Sequence, residues 1–167
     1  MKTRNVAMYG MLIALAFILS YIESIIPIPV PIPGIKIGLA NLVVVTALFL
    51  MGPKQAFMMS MIRIVLVGFT FGNLSTMIFS FGGGLLSWLI MTIAKRWNKF
   101  SVTGVSILGG ISHNAGQILI AVWVVNSGVL IYYLPFLIIS GLVTGAVIGI
   151  AGGLIINSLK KIELFRP

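Results

Sequence analysis

Four ionisable side chains lie inside or beside apolar stretches of this 167-residue chain: Glu23, Lys36, Arg63 and His113. A charged side chain in hydrocarbon costs from roughly 2.5 kcal/mol upward, so each one retained there indicates a cavity, a partner or a function. Glu23 can neutralise only one of the two cations. The pattern therefore predicts a binding site for a ligand that carries a carboxylate or a phosphate.

Amide side chains accompany these charges. In "HNAGQ", His113 and Gln117 are four residues apart and Asn114 is three before Gln117, so the three share one side of a helix. Asn41 follows Lys36 by about one and a half helical turns. For the amides, hydrogen bonding between helices that only holds a bundle together is an alternative that stays open. The predicted substrate-binding residues are Glu23, Lys36, Asn41, Arg63, His113, Asn114 and Gln117.

The residue types exclude several kinds of chemistry. The sequence has no cysteine and no aspartate, and its two glutamates, Glu23 and Glu163, are far apart in the chain. Prenyl-diphosphate synthases and nucleotide hydrolases bind magnesium through carboxylates. This sequence has too few carboxylates for such a site. A single histidine without such partners does not make a metal site or a catalytic triad. We expect no catalytic residue, no metal and no cofactor. A nucleotide-binding motif is also missing, so energy for transport would come from another subunit or an ion gradient.

The composition is that of an integral membrane protein. Hydrophobic residues make up 59% of the chain and charged residues 8%, and the mean hydropathy is +1.18. A soluble domain has roughly one quarter charged residues. We expect one domain over residues 1–167, since no polar stretch is long enough to link two. The chain has 11 Lys and Arg residues, and all except Arg63 lie at the ends of apolar runs, which predicts contact with the membrane surface and not with nucleic acid.

Breaks in the apolar pattern divide the chain into six candidate membrane spans. A transmembrane helix needs about 20 apolar residues, and the candidates are residues 5–26, 36–52, 54–70, 74–94, 103–126 and 131–158. The predicted fold is an all-α bundle of six transmembrane helices. Basic residues are retained on the cytoplasmic side, which predicts that both termini are cytoplasmic. The predicted binding residues then share the outer half of the membrane.

The connection between the first two spans contains "PIPVPIP" at residues 27–33. Prolines at every second position cannot form a helix interior, so we expect an extended, polyproline-like path. Such a path would lie across the mouth of the cavity as a lid or rim. A plain stiff connector is the alternative.

Two helices carry stripes of small residues. Helix six has a glycine at every fourth position, namely Gly141, Gly145, Gly149 and Gly153. Small residues at this spacing let helix backbones approach closely, which predicts tight packing within the bundle. Helix one has a shorter stripe of Ala7, Gly10 and Ala14. For this stripe, packing within the bundle and docking of a partner both remain open.

Four segments together carry a family resemblance. They are "PGIKIGLANLVVVTALFLMG", "SMIRIVLVGFTFG", "FSFGGGLLSWLIM" and "SILGGISHNAGQ". They resemble the Gx transporter or heptaprenyl diphosphate synthase component I family, which is similar to the substrate-binding S components of energy-coupling-factor transporters. The resemblance covers nearly the whole chain.

The resemblance implies a multi-pass subunit of a bacterial or archaeal plasma membrane. Such a subunit captures a small molecule at the outer face and associates with a transmembrane coupling protein and two ATPase subunits. In S components, small residues on helix one contact the coupling protein, which places that role on Ala7, Gly10 and Ala14. The expected ligand is a small anionic molecule, such as a vitamin, a flavin or an isoprenoid-related compound. The alternative is a non-catalytic membrane partner of an isoprenoid or quinone biosynthesis enzyme.

Overall fold

The structure is a computed structural model that describes residues 2–26 and 38–161, with side chains described from Val6 onward. The proline-rich segment, Lys36 and Glu163 lie outside the described residues, so the predictions made for them stay predictions. Every regular element in the described part of the chain is helical. The α-helices are α1 (Lys2–Ile25), α2 (Asn41–Leu50), α3 (Pro53–Thr70), α4 (Leu74–Arg96), α5 (Val102–Val125) and α6 (Leu134–Leu159). A 3₁₀-helix, Gly128–Tyr133, precedes α6.

These six α-helices match the six predicted spans in order and approximate position. Within the described residues, four regions are long and apolar enough to cross a membrane, and they are Val6–Ile25, Leu74–Arg96, Val102–Val125 and Gly128–Leu159. The second helix has only 10 residues, about 15 Å of helical rise, whereas the hydrocarbon core is about 30 Å thick. Lys54 and Arg63 make α3 less apolar. Membrane crossing by α2 and α3, and the cytoplasmic position of the termini, therefore stay predictions.

Local sequence signals explain where the helices begin. Gly52 has φ of 107°, a backbone conformation that favours glycine, and Pro53 follows at the first helical turn, where its missing N–H costs nothing. Asn73 caps α4: its side chain accepts a hydrogen bond from Thr76 N–H, while Thr76 Oγ1 accepts one from Asn73 N–H. Ser101 caps α5 through Gly104 N–H.

The fifth helix lies between α4 and α6 and packs closely against both through glycines. On the α4 side, a Cβ added at Gly116 would lie 2.7 Å from the carbonyl oxygen of Gly82. On the α6 side, a Cβ at Gly141 would lie 2.7 Å from the carbonyl oxygen of Gly110. Backbones approach so closely only where side chains are absent. The glycines of α4 are therefore packing contacts and are not among the lining residues of the cavities described below.

The glycine stripe of α6 packs inside the bundle at three of its four positions. A Cβ at Gly145 would lie 2.7 Å from Ile107 Cα, and one at Gly149 would lie 2.6 Å from Thr103 Cα. Gly141 contacts Gly110 as described above. Gly153 differs, because nothing lies within 4 Å of an added Cβ. The predicted intramolecular packing is thus present except at the last glycine.

The hydrophobic core is centred on α2. Its residues Val44, Val45, Ala47 and Leu48 cluster with Ala56, Met59, Met91, Ala94 and Val105 from the next three helices. By contrast, α1 lies at the edge of the bundle, and of its described side chains only Ala16 and Ser20 are buried. A short, buried α2 and a peripheral α1 leave room between their adjoining ends.

Two long-range hydrogen bonds lie at the end of the bundle opposite the adjoining ends of α1 and α2. Lys95 Nζ donates to the carbonyl oxygen of Leu48 at 2.6 Å, and Trp88 Nε1 donates to the carbonyl oxygen of Pro53 at 2.8 Å. These bonds bring together the end of α2, the start of α3 and the second half of α4. We call this the basic end, because it also includes Lys54, Arg96, Lys99, Lys160 and Lys161.

Candidate ligand-binding site

Two adjoining cavities lie at the end of the bundle that is opposite the basic end. The larger has a volume of about 460 Å³ and lies between α1, the last turns of α3 and the first turns of α4. The smaller, of about 60 Å³, lies between the start of α2 and the facing parts of α5 and α6. Glu23, Arg63 and His113 line both cavities. These three residues therefore mark the passage between the two compartments.

Arg63 has a polar atom without a partner. The residue as a whole is partly exposed, because it lines the cavities, but its Nε is buried and has no hydrogen-bond partner in the described part of the chain. Its neighbour Ile64 is buried and holds this turn of α3 against the bundle. A guanidinium has five donors in a planar fork that suits carboxylate and phosphate groups. Arg63 can therefore bind an anionic group that enters either compartment.

Glu23 lies near the end of α1 and is tied to the chain just before α2. One of its carboxylate oxygens accepts a 2.6 Å hydrogen bond from Gly38 N–H. The side chain is half-buried, and its second oxygen has no hydrogen bond within the described residues. Glu23 thus keeps an acceptor that faces the same cavities as Arg63.

The polar residues of α5 differ in what they bond. Asn114 Nδ2 donates to the carbonyl oxygen of Leu137 on α6 at 2.7 Å. This amide therefore makes a hydrogen bond between helices, which was the alternative to a role in ligand binding. Gln117 lines the smaller cavity, and its amide makes no hydrogen bond to another described residue. His113 already contacts another group. Asn41 at the start of α2 also faces the smaller cavity.

Six of the seven predicted substrate-binding residues therefore come together around the two cavities. They are Glu23, Asn41, Arg63, His113, Asn114 and Gln117. Lys36, the seventh, lies outside the described residues. A ligand role for any of them is not yet tested and stays a prediction. Within the described residues, no group of three histidine, cysteine, aspartate or glutamate side chains is placed to hold a metal ion.

The comparison with protein families agrees with the family named from the sequence, whereas the similarity to S components stays a prediction. The family described as heptaprenyl diphosphate synthase component I matches residues 12–155. The chain belongs to this family. No curated protein and no solved structure gives a significant match. The family's description names one component of a synthase, which is compatible with a subunit that is not itself an enzyme.

The chain also lines its larger cavity with hydroxyl and amide groups that were not predicted from the sequence. These residues are Ser20, Ser24, Asn73, Thr76 and Ser80. Thr144 does the same in the smaller cavity. Serine and threonine in apolar helices commonly bond to their own backbone, as Ser20 does to Ala16 O at 2.9 Å. Their residue type therefore gives no signal of a cavity, although the N-cap pattern at Asn73 was recognisable.

The small-residue stripe of α1 faces away from the bundle. Ala7, Gly10 and Ala14 are all exposed, and nothing lies within 4 Å of a Cβ added at Gly10. Packing within the described bundle does not account for this stripe. Its role in partner contact stays a prediction.

Proposed function

We propose that this chain is the membrane substrate-binding subunit of an energy-coupling-factor type transporter. It would capture a small molecule that bears a carboxylate or a phosphate at the outer face of the membrane. Vitamin-like, flavin-like and isoprenoid-related molecules combine such an anionic group with a largely apolar body. The single observation that carries the proposal is the partnerless Nε of Arg63 beside a cavity of about 460 Å³.

The cavity supports this function by its size and lining. Small-molecule sites have volumes of about 300–1,000 Å³ and combine apolar walls with a few polar groups. Apolar walls come from Ile64, Val67 and Met77, and polar groups come from Arg63 and the hydroxyls named above. A bundle that served only as a scaffold would gain stability from filling this space and pairing the guanidinium.

The open stripe of α1 supports association with a coupling protein. Exposed small residues allow a second helix to approach the backbone of α1 closely. The proposed partners are therefore a transmembrane coupling protein and two ATPase subunits, in addition to the lipid bilayer. The chain itself contains no nucleotide-binding motif, so the ATPases would supply the energy.

The family's description favours a second candidate function. A chain that belongs to heptaprenyl diphosphate synthase component I could be a non-catalytic membrane partner of an isoprenoid or quinone biosynthesis enzyme. In that case a prenyl-synthase subunit would co-purify with the chain in place of a coupling protein and ATPases. The identity of the co-purifying proteins separates the two candidates.

The capture function is tested by native mass spectrometry of the protein purified in mild detergent. We expect a small molecule to be retained, and we expect Arg63→Ala and Lys36→Ala to reduce the retained fraction at least about tenfold, because each removes a charge-assisted contact. Lys54→Ala, at the basic end of α3, is the matched control and should leave retention unchanged. Equal retention in the Arg63 variant, the Lys36 variant and the wild type would refute substrate capture through these cations.

A further inference from the structure

Two opposite charges face the same cavities without pairing with each other. Glu23 attracts Arg63 electrostatically, yet the two form no ion pair in the part of the chain that the structure describes. Among the described residues, Arg63 Nε has no hydrogen-bond partner, and Glu23 accepts a hydrogen bond only from Gly38 N–H, through one carboxylate oxygen. Both residues line the two cavities, and neither neutralises the other by direct contact.

Separated opposite charges in a membrane protein need an explanation. Each charge in a low-dielectric site is costly unless it is paired and hydrogen-bonded, and direct contact between the two would reduce that cost. The hydrogen bond from Gly38 instead holds Glu23 at its own side of the passage. The titratable and charged side chains that line the passage in the described chain are Glu23, Arg63 and His113. Among the described residues, an anion bound at Arg63 would leave the Glu23 carboxylate with the N–H of Gly38 as its partner and with no cation beside it.

We propose that the passage binds a zwitterionic group, whose carboxylate or phosphate pairs with Arg63 and whose ammonium pairs with the free oxygen of Glu23. This inference rests on the proposed capture function and narrows its ligand from an anion to a molecule that carries both charges. The larger cavity, of about 460 Å³, has room for the rest of such a molecule beside the charged residues. Charge-assisted hydrogen bonds at both ends fix its orientation.

Free amino-acid-like solutes and zwitterionic lipid headgroups share this chemistry. The two sources differ in mass and in how they reach the site. Native mass spectrometry separates a retained phospholipid from a smaller molecule. Nanodiscs of phosphatidylglycerol alone also exclude zwitterionic headgroups, whereas nanodiscs that contain phosphatidylethanolamine supply them.

The test uses the absence of cysteine from the chain. Ser80 lines the larger cavity, and Ser80→Cys places a single thiol there with a minimal change of shape. Three methanethiosulfonates of similar size are compared, which transfer a sulfonate, a trimethylammonium or a zwitterionic α-amino acid group. For each reagent, the modification rate of Ser80→Cys is divided by the modification rate of Ser75→Cys. Ser75 is an exposed position on the same helix that does not line either cavity.

In phosphatidylglycerol nanodiscs we expect the zwitterionic reagent to modify Ser80→Cys about tenfold faster than either charged reagent, because the local field favours both of its charges. Adding Arg63→Gln should make the cationic reagent fastest, and adding Glu23→Gln should make the anionic reagent fastest. Slower modification in phosphatidylethanolamine nanodiscs would identify the headgroup as the occupant, and unchanged rates would indicate a free solute.

Fastest reaction of the sulfonate reagent in the otherwise wild-type protein would overturn the zwitterion assignment while leaving anion capture intact. Equal rates for all three reagents would overturn it as well. These rates do not depend on retention of a native ligand. Failure of the capture function in mass spectrometry and failure of the zwitterion assignment in labelling are therefore separate results.

Discussion

The carboxylate of Glu23 accepts a 2.6 Å hydrogen bond from the backbone N–H of Gly38, fifteen residues later in the chain. This bond joins the end of α1 to the residues that precede α2. Gly38 has φ of 78°, a conformation that a side chain would disfavour. The contact fixes both the carboxylate and the start of α2 at the rim of the two cavities.

Replacing Glu23 by alanine should therefore lower stability as well as alter the site. Hydrogen bonds to charged groups contribute about 1.5–3 kcal/mol, and we expect a loss of this size in the free energy of unfolding. Glu23→Gln keeps a carbonyl acceptor and should lose about half as much. Thermal unfolding in detergent measures both, with the exposed neighbour Ser24→Ala as the control. If Glu23→Ala unfolds at the wild-type temperature, the bond does not hold the two helices together.

The amides of α5 can be separated into a structural and a ligand-facing residue. Asn114→Ala removes the bond to Leu137 O, and we expect it to lower the free energy of unfolding by about 1 kcal/mol. Gln117→Ala breaks no bond to a described residue and should leave stability unchanged while reducing ligand retention several-fold. Thermal unfolding and native mass spectrometry on both variants check this division. A reversed pattern would show that the two roles are assigned the wrong way round.

The contact between α5 and α6 is sensitive to a single methyl group. In Gly110→Ala the new Cβ would overlap the carbonyl oxygen of Gly141, which is backbone and cannot rotate away. We expect a loss of about 1–3 kcal/mol, the usual cost of overpacking. Gly153→Ala on α6 has open space around the new methyl and should be neutral or slightly stabilising, because alanine favours helix. Melting temperatures in detergent compare the pair, and equal values would contradict the close approach.

Large residues on the open face of α1 should interfere with a partner and leave the bundle intact. Gly10→Leu and Ala14→Leu lie on exposed positions, so we expect wild-type melting temperatures and ligand retention. Co-purification with a coupling subunit should fall at least about tenfold, because leucine prevents close approach of a second helix. Gly153→Leu, an equally open position on α6, is the control. Undiminished co-purification of the α1 variants would place the docking surface elsewhere.

Lys95 stabilises the basic end by contacts that a neutral side chain cannot replace. Its Nζ donates to Leu48 O at 2.6 Å and lies 5.2 Å from the centre of the Phe49 ring. We expect Lys95→Met to lower the free energy of unfolding by about 1–2 kcal/mol, since the last turn of α2 loses a donor and the ring loses a cation. The exposed Lys99→Met should have no effect on thermal unfolding. Equal melting temperatures for the two variants would count against this role.

The order of the helices could be predicted from the sequence because their boundaries have strong local causes. Gly52 and Pro53 end one helix and start the next, and the break before Asn73 likewise separates α3 from α4. The second predicted span, residues 36–52, is longer than the ten-residue α2, and the 3₁₀-helix before α6 was missed. Apolar residues extend beyond the helical part of both segments, so hydropathy alone does not distinguish helix from other buried or interfacial backbone.

The candidate site could be predicted only where a residue type is costly in an apolar setting. Arg63, Glu23 and His113 were identified for this reason, and all three line both cavities. Ser80 and Thr144 cost little free energy in an apolar helix, so only the packing of neighbouring helices shows that they face a cavity. Distances between helices are also decided by pairs such as Gly110 and Gly141, whose partners lie far apart in sequence.

The ten-residue length of α2 sets the depth of the cavities. The helix rises only about 15 Å from its start at Asn41 toward the basic end, which is about half of the hydrocarbon thickness of a bilayer. In the predicted orientation, the smaller compartment would therefore lie near the middle of the membrane. Under the proposed capture function, release toward the basic side would then require a path along one short helix and its neighbours, and not translocation across a full bilayer.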